Sequence, residues 1–136
     1  QLQIINYYPL KGHSDADVGY HALCDSIFGA LGLGDIGRIF KNNDLKWKNA
    51  NSKIFLKYAK RKIDEYNAKI VNIDMNFICE KPKISKYSEK MKTNISAILF
   101  INKSQINIKA TTNEKISFIG KGEAIAAESI ISLSYE

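Results

Sequence analysis

Between Val71 and Phe77 apolar and polar residues alternate: Val71, Ile73, Met75 and Phe77 are interleaved with Asn72, Asp74 and Asn76. A period of two is that of a strand with one face buried. The segments around it follow a different rhythm. Phe55, Ala59, Ile63 and Tyr66 recur at helical spacing behind Asn51 and Ser52, either of which suits an N-cap, and Met91, Ile95, Ile98 and Leu99 form the apolar side of a helix from about Lys86 to Phe100. Nearer the start, a helix from about Asp15 to Gly32 carries an apolar stripe of Tyr20, Leu23, Ile27 and Leu31, and the Gly32-Leu-Gly34 run stops it. Leu2 to Tyr8, Ile106 to Thr111 and about Ile125 to Tyr135 read as further strands.

This order of elements predicts an α+β fold: a mixed, mostly four-stranded sheet with helices packed on one face. The last strand sets Ser129, Ile131, Leu133 and Tyr135 on one side and Glu128, Ile130 and Ser132 on the other. Both sides are partly apolar, so the sheet face away from the helices is expected to meet neighbouring subunits. No repeat or low-complexity linker divides the 136 residues, which amount to one domain, 1–136, able to bury roughly two-thirds of the unfolded surface.

Charge adds little to this picture. The net +6 comes from eighteen Lys and only two Arg, Arg38 and Arg61, dispersed among Asn and Ile. A nucleic-acid face would cluster its cations and favour Arg. The basicity reflects an A/T-rich coding bias and steers anionic substrates modestly. No apolar run reaches the ~18 residues of a membrane span. Cys24 and Cys79 lack paired metal or redox spacing, which fits free thiols in a reducing compartment.

The chemistry concentrates between His13 and Asp25. Asp17, His21 and Asp25 recur every four residues, with Gly29 continuing the row, on one face of the first helix. Imidazole and carboxylates at a loop-to-helix junction suit a divalent metal and a phosphate. A surface histidine in a helix that simply starts well on carboxylates accounts for the same residues. Gly34-Asp-Ile-Gly37 follows directly, and further on Lys109-Ala-Thr-Thr-Asn-Glu-Lys115 leads into Phe118-Ile-Gly-Lys-Gly-Glu123.

In this order and at this separation, the three segments resemble the 2-C-methyl-D-erythritol 2,4-cyclodiphosphate synthases of non-mevalonate isoprenoid synthesis, over essentially the whole chain. The resemblance implies a lyase: the 2-phosphate of 4-diphosphocytidyl-2-C-methyl-D-erythritol 2-phosphate attacks the β-phosphorus, and CMP departs. It implies a chorismate-mutase-like homotrimer with active sites between subunits. His21 would be one of three protein ligands of a zinc ion (Zn²⁺), the other two belonging to an Asp-x-His motif expected upstream of Leu2, so the domain is read as N-terminally incomplete. Glu114 would help hold a second ion, Mg²⁺ or Mn²⁺, on the diphosphate.

By the same resemblance His13 and Thr112 stabilise the transition state, and His13 and Ser14 contact the erythritol phosphate. Asp35, Ile36 and Gly37 contact the erythritol, and Phe40 and Asp44 lie where the family's flap begins and ends; the polar stretch Lys41 to Asn51 reads equally as a mobile flap and as an ordinary surface connection. Pro82 and Lys83, with backbone from Cys79 to Ser85, form the cytosine pocket, and Ala110 and Thr111 reach the nucleotide. Phe118, Lys121 and Glu128 line the trimer axis, where Lys121 replaces the usual Arg and cannot reproduce its bidentate fork.

The alternative class is a non-catalytic trimeric nucleotide-binding protein of the same fold that has lost its metal site. A two-metal phosphohydrolase is a third reading, and the sequence lacks the second local His/Asp cluster it needs. The expected compartment is a plastid-type organelle with the transit segment removed, or otherwise bacterial cytoplasm.

Overall fold

The computed structural model describes residues 2–6, 14–40, 51–80, 84–112, 114–116, 119 and 124–135, with the side chains of 2–6, 14–17 and 124 outside that description. In chain order these are strand β1 (Leu2–Asn6), helix α1 (Ser14–Ala30), one-turn helix α2 (Ile36–Ile39), helix α3 (Ser52–Glu65), strand β2 (Ala68–Ile78), helix α4 (Ser88–Leu99), strand β3 (Ile106–Thr111) and strand β4 (Ala124–Tyr135). Short 3₁₀ turns at Ile84–Lys86 and Lys103–Gln105 precede α4 and β3. The strands form one mixed sheet in the order β1-β4-β2-β3. β4 runs antiparallel to β1 and β2, and β3 runs parallel to β2. A parallel neighbour requires a crossover, which α4 supplies.

Local chemistry sets the boundaries. Asn51 caps α3, its side-chain oxygen accepting the Lys53 N–H at 3.0 Å. The solvent side of α3 carries ion pairs Lys60–Asp64 at 2.7 Å and Lys62–Glu65 at 3.0 Å, each worth only a few tenths of a kcal/mol, about 0.2–0.5. α4 begins at Ser88, later than the Lys86 expected from spacing, because Tyr87 N–H first closes a 3₁₀ turn onto Ile84 O at 2.8 Å. It ends where Phe100 takes the left-handed conformation, φ 55 and ψ 46.

Two expectations from periodicity require correction. Tyr66 was placed on the buried stripe of α3, yet it sits at the C-cap, beyond the last turn, and is 45% exposed. Leu56 is fully buried instead. Val71 was read in phase with Ile73, yet it is 52% exposed. The β2–β4 register shifts between Ile70 and Asn72, a bulge that removes Val71 from the alternation and lets Ile70 pair with Leu133 on the core side.

α1 is buried on more than a stripe. Val18, Tyr20, Ala22, Leu23, Cys24, Ile27 and Phe28 all lie in the core, with Phe55, Leu56, Ala59 and Ile63 of α3 and Ile73, Met75 and Phe77 of β2 in the same cluster. A helix apolar on most of its circumference belongs inside. Burial pushes the Cys24 thiol far above its ordinary range, so it stays protonated and inert. The opposite face of the sheet is polar over β2 and β3: Asp74 accepts from Asn107 Nδ2 and from Lys109 Nζ, both at 2.8 Å. These donors hold its carboxyl below the usual range. Ile130 stands 66% exposed on that face.

Among the described glycines, Gly19 makes the closest approach between helix and sheet. A Cβ there would lie 2.5 Å from Phe77 Cζ and 3.1 Å from Met75 Cε, both on fully packed side chains. Gly29, in the same helix, has nothing within 4 Å of that position. Gly19→Ala therefore overpacks the core at about 1–3 kcal/mol, which outweighs the ~1 kcal/mol of helix propensity gained. Gly29→Ala keeps only the gain. Urea unfolding is expected to show the first variant less stable than the parent and the second more stable; equal stabilisation by both would refute the close approach.

Candidate active site

Two groups of expected site residues take shape on the described chain. The first lies at the carboxyl ends of β2 and β3. The parallel pair finishes in register at Ile78 and Thr111, and Cys79 N–H extends the ladder by donating to Thr111 O at 3.0 Å. The chain then turns through Glu80 toward the 3₁₀ segment, where Ile84 is buried and Ser88 Oγ donates to Ser85 O at 3.1 Å. Between these walls opens a cleft of about 370 Å³ lined by Cys79, Glu80, Ile84, Ser85, Ser88 and residues 108–112. Its volume suits one nucleotide-sized fragment. Ile84, Ile108 and Ala110 provide an apolar surface, and hydroxyls and backbone polar groups provide the edges.

Thr112 stands at the exit of β3. Its Oγ1 accepts the Glu114 N–H at 3.3 Å. A hydroxyl that accepts from one side directs its own proton elsewhere, which suits donation to an anionic oxygen. Glu114 and Lys115 both adopt positive φ, 51° and 59°. Side-chain-bearing residues there cost about 1–3 kcal/mol each and persist only where neighbours hold them. Lys115 N–H donates to Glu80 Oε1 at 3.0 Å, across 35 residues of sequence.

The second group is built on α1. His21 is half-buried, its ring edge-on to Phe55 with centroids 6.0 Å apart. Asp25, on the polar row of α1, is only 5% exposed. Its Oδ1 accepts the Ile36 N–H at 2.7 Å. Gly32 and Gly34, at φ 72 and 90, reverse the chain there, and Asp35 Oδ1 caps α2 by accepting the Arg38 N–H at 2.8 Å. Ile36 N–H and one oxygen of Asp35 are thus engaged within the protein, leaving Asp35 Oδ2 and the Gly37 backbone to face outward chemistry. The Phe40 ring is buried against Phe55 at 4.7 Å and Tyr58 at 4.9 Å, so any contact it makes with a ligand falls to its backbone. Ser14 is the first residue of α1.

His13, Asp44, Pro82, Lys83, Phe118, Lys121 and residues 41–50, where a flap was one expectation, lie outside the described residues. Among the described residues no group of three or more His, Cys, Asp or Glu could hold a metal ion, and no helix is long and apolar enough to cross a membrane. Sequence reasoning placed the backbone of Glu80 in the pocket but missed its side chain and the bond to Lys115, and it missed Ser88 and Ile108. Ile108 was visible as a strand residue and Glu80 as the residue after Cys79; pairing Glu80 with Lys115 required the sheet.

Burial raises the Asp25 carboxyl above its ordinary value, with Asp35 adding to the rise while the Ile36 N–H and His21 oppose it. Folded Asp25 therefore binds a proton more readily than unfolded Asp25, and the stability linked to that proton is complete below the unfolded value of 3.8 and lost as pH rises through the raised one. Asp25→Asn keeps the acceptor for Ile36 and removes the charge. In chelator-treated buffer, urea unfolding should show its stability relative to the parent increasing from pH 4 to pH 7. Asp25→Ala, which removes the acceptor of the part-buried Ile36 N–H, should lose about 1 kcal/mol at both. A parent-to-Asn difference independent of pH would contradict the buried-carboxylate account.

A mixed sheet with helices on one face and a nucleotide-sized cleft at the ends of its two parallel strands defines an α+β ligand-binding domain. The model of the YgbB family matches residues 2–134, and the chain belongs to that family. It is 48% identical over 134 residues to 2-C-methyl-D-erythritol 2,4-cyclodiphosphate synthase of Francisella tularensis subsp. novicida, covering 98% of this chain and 84% of that protein. It is also 48% identical over 124 residues to the bifunctional enzyme IspD/IspF of Gluconobacter oxydans, covering 91% of this chain and 32% of the relative. The chain thus spans about a third of the length of such bifunctional relatives. Among solved structures, bifunctional IspDF from Campylobacter jejuni superposes with a TM-score of 0.88 at 38% identity, covering 99% of this chain and 41% of that one. The Plasmodium falciparum IspF CDP complex superposes with a TM-score of 0.80 at 43% identity, covering 93% and 76%.

Proposed function

We propose that this chain carries 2-C-methyl-D-erythritol 2,4-cyclodiphosphate synthase activity, forming the cyclic diphosphate from 4-diphosphocytidyl-2-C-methyl-D-erythritol 2-phosphate with release of CMP. The observation that carries the reading is the cleft between the turn after β2 and residues 108–112. A relative of 43% identity solved as a CDP complex supports placing a cytidine nucleotide there. The nucleophile is the substrate's own 2-phosphate, so the protein's work is to fold a polyanion into attack geometry and to donate hydrogen bonds to its oxygens. The cleft holds the cytidine end through backbone edges and the apolar surface of Ile84 and Ala110. Pro82 and Lys83 complete the cytosine pocket. Thr112 donates its hydroxyl proton to a phosphate oxygen as charge develops, and His13 is its counterpart at the other end of the substrate. Asp35 and Gly37 bind the erythritol.

The divalent-metal requirement belongs to the same proposal, with His21 as imidazole donor for zinc and Glu114 as carboxylate donor for the diphosphate-bound ion. A tetrahedral zinc needs three protein ligands and a substrate oxygen. Among the described residues the donors do not by themselves fit that demand.

Calorimetry should show CDP bound more tightly than UDP, and CMP should appear when the substrate is supplied. Thr112→Ala should lower turnover about ten- to a hundredfold, the equivalent of ~1.5–3 kcal/mol for a hydrogen bond to a charged group, with CDP affinity little changed. Equal affinity for CDP and UDP would remove the cytosine assignment, and an unchanged turnover number would make the Thr112 hydroxyl structural.

The assembly proposed is a homotrimer with active sites between subunits. The resemblance to the cyclodiphosphate synthases supports it, and the sheet face opposite the helices, where Ile130 stands exposed, is the surface a neighbour would cover. Light scattering at micromolar concentration should return about three times the 15.3 kDa chain mass; a monomer mass would reject the trimer.

A further inference from the structure

We infer that Glu80 is a positioning residue that holds the Thr112 end of the cleft in its working shape; the inference rests on reading that cleft as the cytidine diphosphate site. Three and four residues beyond the end of β3, Glu114 and Lys115 are both left-handed, and neither is glycine. A turn of this kind keeps its shape only when contacts from outside over-determine it. Among the described residues one local bond and one contact from outside hold it. Glu114 N–H reaches Thr112 Oγ1 at a long 3.3 Å, and Lys115 N–H reaches Glu80 Oε1 at 3.0 Å. The second is the shorter and has a carboxylate acceptor, the stronger kind of hydrogen bond.

Glu80 is well placed for this task. It follows Cys79, whose N–H is tied to Thr111 O at 3.0 Å. It also lines the same cleft as Thr112. The carboxylate therefore bridges the turn after β2 and the turn after β3, and fixing Lys115 keeps Glu114 N–H aimed at the Thr112 hydroxyl. With its oxygen accepting from Glu114, the Thr112 proton is directed away from the backbone. Without Glu80 the left-handed turn relaxes, and the hydroxyl loses the contact that orients it.

The experiment compares Glu80→Ala and Glu80→Gln with the parent chain. The readouts are amide hydrogen exchange at Lys115, calorimetry with CDP, and kcat and KM from CMP release. Glu80→Met takes the place of the alanine variant should the latter not fold. Glutamine retains an oxygen acceptor; alanine and methionine do not. The alanine variant should exchange the Lys115 amide about tenfold faster and lose about tenfold in kcat, ~1.4 kcal/mol. KM and CDP affinity should stay within about twofold, and glutamine should recover most of the turnover. Unchanged Lys115 exchange in the alanine variant overturns the proposal. So does CDP affinity falling in step with kcat, which would make Glu80 a direct nucleotide contact, and so does a glutamine variant as impaired as alanine. A parent chain that neither binds CDP nor releases CMP would instead defeat the functional reading, a result separate from any comparison among active variants.

Discussion

The close approach of α1 to β2 at Gly19 is the constraint on which the rest of the molecule depends. With no side chain at that position, the helix settles onto Phe77 and Met75, and it is then enclosed by α3 through Phe55, Leu56, Ala59 and Ile63. A helix so enclosed has little freedom of rotation or translation, since interiors pack near the density of organic crystals. Its polar residues are consequently held as firmly as its apolar ones. His21 stays edge-on to Phe55, and Asp25 stays under the segment that follows the helix. Ser26 Oγ, donating to Leu23 O at 2.8 Å and lying 3.1 Å from Ser129 Oγ, adds a polar tie between α1 and β4.

The same packing links the two candidate site groups without any direct contact being needed. Phe77, pressed against α1, lies two residues before Cys79, where the strand-end cleft begins. The helix thus steadies the strand whose end forms one wall of the cleft. Parallel pairing of β2 and β3 brings the second wall, because parallel strands finish at the same edge of a sheet. Binding surfaces at the carboxyl ends of parallel strands are common for this reason: loops leave both strands together and enclose a space between them.

Charge is used differently at two acidic positions among the described residues. Asp74 lies on the open sheet face with Lys109 and Asn107 donating to it, and its charged form is favoured. Asp25 is desolvated, with the Ile36 N–H donated to it, and its charged form is disfavoured despite His21 nearby. The first arrangement suits a solvated strand ladder. The second keeps a costly group where it fastens a loop to a helix, the kind of expense that marks functional surroundings in folded proteins.

Periodicity alone determined the element types: the alternation through Phe77, the i, i+4 rows at Phe55-Ala59-Ile63 and Met91-Ile95-Leu99, and the Asn51 cap all express preferences of neighbouring residues along the chain. Motif order likewise determined the family resemblance, since Gly34-Asp-Ile-Gly37 and Lys109-Ala-Thr-Thr-Asn-Glu-Lys115 are short and contiguous. The tertiary structure decided what depends on residues far apart. It exposed Val71, because a bulge shows itself only against the partner strand. It buried Asp25 and the Phe40 ring, because burial is set by what packs from other elements. It joined Glu80 to Lys115, because a hydrogen bond between residues 35 positions apart exists only once two parallel strands have brought their ends together.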